Sequence, residues 1–238
     1  MNEELALKII AHVKCDLNEK FGAPRQSGLC KSLMGRIVFE PEYRVREALR
    51  EIEGYSHLWV LWWFHQFKTA DFSPTVRPPK LGGNTRVGVF ASRSPNRPNP
   101  IGMSCVKLEK VEWEGPTAPS LLVSGIDMID GTPVLDVKPY IPYTDCRREA
   151  TGGFAISTET LREEIPEKFL ENLTTEQAQG LRQLLRQDPR PGYQKEEHHE
   201  YGLLYAGMNI RFTVYDGTAV VIGAEPANKQ EKTEKTEG

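Results

Sequence analysis

This chain of 238 residues lacks several things whose absence narrows what it can do. Its four cysteines (Cys15, Cys30, Cys105 and Cys146) are widely scattered and form no C-x-x-C pair. A zinc knuckle and a dithiol redox motif are thereby excluded, and the scatter suits a reducing compartment. No two glycines stand in a G-x-G arrangement, so the glycine turn that a doubly wound sheet places beneath a nucleotide cofactor is missing. There is no G-x-S-x-G elbow either, which leaves Ser92, Ser94 and Ser104 without the setting of a hydrolase nucleophile. The longest apolar run, residues 58–64, falls far below the ~20 residues of a membrane helix. Residues 1–11 carry Glu3 and Glu4 and no sustained apolar core, unlike a secretory signal. No membrane association is expected, and no internal repeat is present.

The most informative shortage is local. From Phe72 to Leu108 there is no carboxylate, yet Arg77, Lys80, Arg86, Arg93, Arg97 and Lys107 all fall there. Acids crowd residues 159–171, 196–200 and the C-terminal tail instead. The net charge of -3 excludes a generally basic nucleic-acid coat protein, but a local cationic face still attracts phosphate. Within this window Gly82, Gly83 and Asn84 loosen the backbone, and Pro95, Pro98 and Pro100 stiffen it again. Apolar runs at 86–91 and 101–108 read as strands. Residues 92–100 are then a shaped, cationic loop held between them.

Along the rest of the chain, residues 7–15 read as an opening strand and 35–39 as a second. Val45, Ala48, Leu49 and Ile52 keep the spacing of one helical face, ended by Gly54. Residues 56–64 are apolar almost throughout, which predicts a strand covered on both faces with Trp59, Trp62 and Trp63 in the core. The proline-rich segment 72–80 predicts a rigid arm. Strands are expected at 121–128 and 134–140, joined by a tight turn over 127–133. Short strands, turn residues and little helix predict a mainly β fold with an α+β addition. Its N-terminal part, residues 1–150, is expected to form a closed or nearly closed β-barrel.

After residues 151–153 the character changes. One more strand is expected at 154–157. Thr174 and Gln177 fit a capping box ahead of Ala178, Leu181, Leu184 and Leu185 on one helical face, and residues 188–191 stop that helix. Asp216-Gly217 between two apolar runs is a strong hairpin signal. These features predict a smaller α+β domain over residues 151–226, followed by a disordered, charged tail over 227–238. The run Glu196-Glu197-His198-His199-Glu200 has metal-friendly residue types without the i, i+4 spacing of a helical site, so no metal is assigned.

The run RVGVFASRSPNRPNPIGMSCVKL at 86–108 resembles the signature of the TsaA-like (YaeB/TrmO) family of S-adenosylmethionine-dependent tRNA methyltransferases. The resemblance continues in HLWVLWWFHQ at 57–66, TVRPP at 75–79, DMIDGTPVLDVKPYIPYTD at 127–145 and DPRPGY at 188–193. It implies a β-barrel that is not doubly wound, a cytoplasmic homodimer, and S-adenosyl-L-methionine as cofactor. The implied reaction is methylation of N6 of threonylcarbamoyladenosine at position 37 of tRNA, in the anticodon loop. The cofactor pocket it implies comprises Pro24, Arg25, Gln26, His65, Gln66, Arg93, Met103, Asp127, Met128, Ile129 and Asp130.

Chemistry sorts these candidates. Carboxylates suit the cofactor's ribose diol and sulfonium, which favours Asp127 and Asp130, although capping of its own turn would equally explain Asp130. A guanidinium suits its terminal carboxylate or a substrate phosphate, which favours Arg93. Asp127, Asp130 and His65 are all candidates for a general base, and the sequence singles out none. For tRNA, Lys80, Arg86 and Arg97 are candidate phosphate contacts, and Arg190, Tyr193 and Arg211 a candidate second grip. The competing readings are a non-catalytic S-adenosylmethionine- or RNA-binding β-barrel module, and a methyltransferase acting on another small molecule or a protein.

Overall fold

Strand alternation builds the first half of the chain. Six antiparallel strands close a barrel in the order β1 (Ala11–Cys15), β2 (Met34–Phe39), β7 (Ser120–Ser124), β6 (Ile101–Glu112), β3 (His57–Trp63) and β8 (Pro133–Pro139). This computed structural model describes residues 5–67, 72–78, 81, 84–155, 160–190 and 196–227. Lys80, Tyr193, residues 156–157 of an expected strand and the tail over 228–238 lie outside the described residues. No helix among the described residues is long and apolar enough to cross a membrane.

Inward-facing residues of every barrel strand meet in the centre, including Val13, Ile37, Val60, Val106, Val123 and Val134. β3 departs from expectation. Leu58, Val60 and Trp62 are buried, whereas Trp63 is exposed and Trp59 half-buried with its indole N–H on Asp145 Oδ2 at 2.9 Å. A closed barrel has one lining, so a strand in its wall buries every second residue. Trp62 fits because its neighbour across the β3–β6 ladder is Gly102, where a Cβ would overlap the indole.

Two further expectations are corrected. Residues 45–54 form two 3-10 turns, Arg46–Leu49 and Ile52–Gly54, rather than one helix, and Glu51 between them is left-handed at φ 66°. Only Leu49 is buried there, so a continuous helix would have had no apolar stripe to pack. The run 86–91 is strand only at β5 (Val87–Gly88), which pairs with β4 (Thr75–Val76), and then becomes a 3-10 turn at Val89–Ala91. Residues 142–145 form a single turn, α1 (Pro142–Asp145).

The second half contains β9 (Arg162–Glu164), α2 (Thr175–Arg186), β10 (Tyr201–Tyr205), β11 (Met208–Tyr215) and β12 (Thr218–Pro226), in a sheet of order β10-β11-β12-β9. The capping box forms as its residues predict: Gln177 N–H donates to Thr174 Oγ1 at 3.2 Å, and Thr174 N–H to Gln177 Oε1 at 3.0 Å. Asp216 and Gly217 both have positive φ, at 44° and 66°, as a type I′ hairpin requires. β9 and β10 were not expected.

The sheet and α2 lean on the barrel through the β1–β2 connection. Ala206 N–H donates to Asp16 O at 3.1 Å, and the Gln183 amide bonds both the hydroxyl and the N–H of Ser32, at 2.9 Å each. Gly180 lets α2 approach closely, since a Cβ there would strike the Tyr205 hydroxyl and Leu33. Buried side chains of both halves form one contiguous apolar cluster.

Candidate active site at one end of the barrel

Antiparallel connectivity places three connections at the same end: residues 16–33 between β1 and β2, 64–100 between β3 and β6, and 125–132 between β7 and β8. These three segments carry every residue of the implied cofactor pocket except Met103.

Asp127 is the centre of the arrangement. Its Oδ1 accepts the Ser104 hydroxyl at 2.5 Å, and Ser104 Oγ in turn accepts the Trp62 indole N–H at 2.8 Å. The Ser27 backbone N–H also reaches the Asp127 carboxylate, and the Ser27 hydroxyl accepts from Cys105 N–H at 3.0 Å. Burial pushes the Asp127 carboxyl up to about 6 from an ordinary 3.8; those hydrogen bonds and the charge of Arg93 oppose the rise. The residue beside Ser27 is Gln26, whose Oε1 accepts from Arg93 Nη1, while its amide N–H donates to Arg25 O at 2.5 Å. A carboxylate, an amide and a guanidinium from three connections thus meet at one place. Such a set recognises a ligand bearing hydroxyls or positive charge at one end and a carboxylate at the other.

The other candidates divide. His65 is half-buried, and its pKa is lowered by burial first, then by the charges of Lys20 and His12. Gln66 is exposed, and its main-chain oxygen accepts Lys20 Nζ at 2.5 Å. Pro24 is buried and Arg25 exposed. Asp130 points away from Asp127: its Oδ1 accepts Cys15 N–H at 3.1 Å and its Oδ2 lies 3.8 Å from Lys14 Nζ. It caps β1, as a turn carboxylate does. Met128 and Ile129 are buried in the core. Met103 is exposed on the outer wall, because alternation turns it away from its neighbour Ser104.

Arg86 and Arg97 keep neutral partners, Thr75 Oγ1 at 3.1 Å and Ser92 O at 3.2 Å. Arg190 and Arg211 instead hold carboxylates, Asp188 and Glu200, each at 2.7 Å. Two residues of this arrangement escaped the sequence reading: Ser27, and Ser104 as a partner of Asp127. The signal for Ser104 was its phase. A hydroxyl between Gly102 and Val106 on the buried side of an alternating strand requires an internal partner.

The fold and site together define a β-barrel protein with a polar, partly buried candidate site at one end and, among the described residues, no doubly wound nucleotide sheet. The chain belongs to the tRNA-methyltransferase O family, whose N-terminal domain model matches residues 12–146 and C-terminal domain model residues 159–227. It is 41% identical over 229 residues to the tRNA (adenine(37)-N6)-methyltransferase of Escherichia coli K12, covering 91% of this chain and 96% of that protein. A Pseudomonas aeruginosa relative, named for S-adenosylmethionine-dependent methyl transfer, is 42% identical over 213 residues, 85% of this chain and 90% of that one. The crystal structure of TrmO from P. aeruginosa superposes with a TM-score of 0.78 at 30% identity, covering 95% of this chain and 99% of that chain.

Proposed function

We propose that this chain is an S-adenosylmethionine-dependent methyltransferase acting on N6 of adenine 37 in tRNA, and that the base it accepts is threonylcarbamoyladenosine. The observation that carries the reading is the meeting of Gln26, Ser27, Arg93 and Asp127 at one barrel end, on a chain whose relatives are named for this reaction.

The donor set fits the cofactor. Asp127 offers a carboxylate to a ribose diol or a sulfonium, and Arg93, oriented by Gln26, offers a guanidinium to a terminal carboxylate. S-adenosylmethionine, when bound, supplies a methyl group already activated by its sulfonium. The residues therefore work mainly by alignment, which accounts for on the order of 7–11 kcal/mol of a barrier. The N6 nitrogen shares its lone pair with a carbonyl and the purine ring, so removing its proton helps. Of the three base candidates, Asp127 is the best supported. With its carboxyl raised to about 6 it is mostly ionised at neutral pH and more basic than an ordinary aspartate. Asp130 is occupied on β1. His65 stays neutral at neutral pH and is the reserve.

Three finer readings, on domain roles, oligomeric state and location, accompany this one. Residues 1–150 bind the cofactor and residues 151–226 brace the barrel end through the β1–β2 connection. A homodimer is supported by the outer wall, where Trp63 pairs with Ile101 and Leu61 with Met103, and Trp63, Ile101 and Met103 are all exposed. A cytoplasmic location is supported by four free cysteines.

Purified protein incubated with S-adenosylmethionine and tRNA bearing threonylcarbamoyladenosine should yield the N6-methylated nucleoside by mass spectrometry. Product on unmodified adenine 37 alone would remove the threonylcarbamoyl assignment. Cofactor binding with no product on any cellular tRNA would instead leave the non-catalytic module.

A further inference from the structure

We propose that an open cleft beside the signature loop is the seat of one backbone phosphate of bound tRNA, held by Arg77 and Arg86. The inference rests on the tRNA reading above and adds a place of contact to it. The cleft has a volume of about 400 Å³, and its lining includes Ser73, Thr75, Arg77, Arg86, Ser94 and Asn96. It lies on the other side of the signature loop from the cofactor candidates: Ser94 and Asn96 face the cleft, whereas Arg93 reaches Gln26.

The strongest indication is an uncompensated cost. β4 and β5 pair Thr75 with Gly88 and Val76 with Val87. The same register carried one residue further sets Arg77 opposite Arg86. Like charges directly across a ladder destabilise it, and neither guanidinium forms an ion pair among the described residues. The Arg86 guanidinium is oriented by the Thr75 hydroxyl at 3.1 Å, which leaves its charge intact. Among the described residues, no carboxylate lines the cleft. An anion with several acceptor oxygens would relieve the repulsion and take donors from both guanidiniums, the hydroxyls and the Asn96 amide. A phosphodiester has those oxygens, and the cleft has room for the sugars on either side.

The test is tRNA binding by the full chain across about 50–200 mM salt, comparing the parent, an Arg77→Gln/Arg86→Gln double variant, and Arg50→Gln. Arg50 lines a separate groove with Arg46, Glu47, Glu51 and Glu114, so its loss removes a charge where acids already balance the surface. The double variant should bind tRNA about tenfold more weakly. Its slope of log affinity against log salt should be shallower by about 0.7–0.9 for the one phosphate released. S-adenosylmethionine affinity by calorimetry should be unchanged, and the tRNA-free melting temperature should hold or rise as the repulsion disappears. Arg50→Gln should match the parent. Unchanged affinity and slope in the double variant would overturn the seat, and so would an equal loss in Arg50→Gln, which would mean general attraction. A parent that binds no tRNA would overturn the functional reading too, which separates the two failures.

Discussion

The arginines of the central window and those of the second half live in opposite surroundings. In the second half, Arg162 meets Asp216 at 3.6 Å, Arg186 meets Glu163 at 2.6 Å, Arg190 meets Asp188 at 2.7 Å, and Arg211 meets Glu200 at 2.7 Å. In the central window the partners are neutral: Thr75 for Arg86, Gln26 for Arg93 and the Ser92 carbonyl for Arg97. A guanidinium on a carboxylate has little field left to offer a ligand. One held by a hydroxyl or an amide is oriented yet keeps its charge. On a chain of net charge -3, a cationic face is therefore made by excluding acids from one region, more than by adding bases to it. Asp127 is the exception that marks the site: the buried acid within reach of the central cations.

The largest effect should come from removing that exception. Asp127→Asn should lower kcat by about 10²-fold or more, and it should also stabilise the protein above pH 6. The folded chain holds the Asp127 proton to about pH 6, against 3.8 for an ordinary aspartate. Stability is therefore lost as pH rises between these values, and the whole cost is present above the higher one. The difference corresponds to roughly 3 kcal/mol as an upper figure. Asparagine never ionises and still accepts the Ser104 hydroxyl. Denaturant unfolding of both proteins at pH 3.5 and pH 8 should show the variant's advantage only at pH 8; an equal difference at both would refute the buried, raised carboxyl.

Arg93 should come next, with a smaller loss and a more diagnostic signature. Its charge holds the Asp127 carboxyl down, so Arg93→Gln should move the acid limb of kcat/KM to higher pH. It should also weaken cofactor binding about tenfold. Arg93→Lys should return the limb toward the parent while affinity stays low, because lysine restores the charge without the fork. A limb that stays in place in Arg93→Gln would uncouple the two residues.

Much of this was legible in the sequence. The capping box at Thr174 and Gln177, the Asp216-Gly217 hairpin and the strands around 35–39, 57–63 and 101–108 rest on local chemistry, which tertiary packing left intact. The acid-free window was plain in composition, and the residues of the family motifs that carry the candidate pocket fall mostly at one barrel end. What failed depended on neighbours. Residues 45–54 have helical spacing but only one buried side chain, so no continuous apolar face was there to hold the periodicity as one helix. β9 reads Arg-Glu-Glu, a polar edge that becomes a strand only because β12 lies beside it in parallel. Asp127 and Asp130 look equivalent in sequence, three residues apart. The fold sends one under Ser104 and the other onto Cys15 N–H, a distinction made by strands that are distant in the chain.

The smallest effect is the sharpest check on the contrast between the central window and the second half. Arg211 was a candidate tRNA contact, but it lies between Glu200 at 2.7 Å and Glu225 at 4.0 Å, and its pKa is raised first by the hydrogen bond it donates to Glu200. To grip a phosphate it would have to leave two carboxylates that then face the same polyanion. Arg211→Gln should therefore leave tRNA affinity within about twofold, with the salt slope unchanged. Its visible consequence should be a small fall in melting temperature at low salt that added salt erases, since an exposed pair is screened. The informative counterpart is Glu200→Gln, which frees the same guanidinium by removing an acid. If acid exclusion creates the cationic face, Glu200→Gln should strengthen tRNA binding slightly and steepen its salt dependence, whereas Arg211→Gln does neither. A loss of tRNA affinity in Arg211→Gln, with Glu200→Gln silent, would show that the paired Arg211 is itself the contact and that the two regions do not differ in kind.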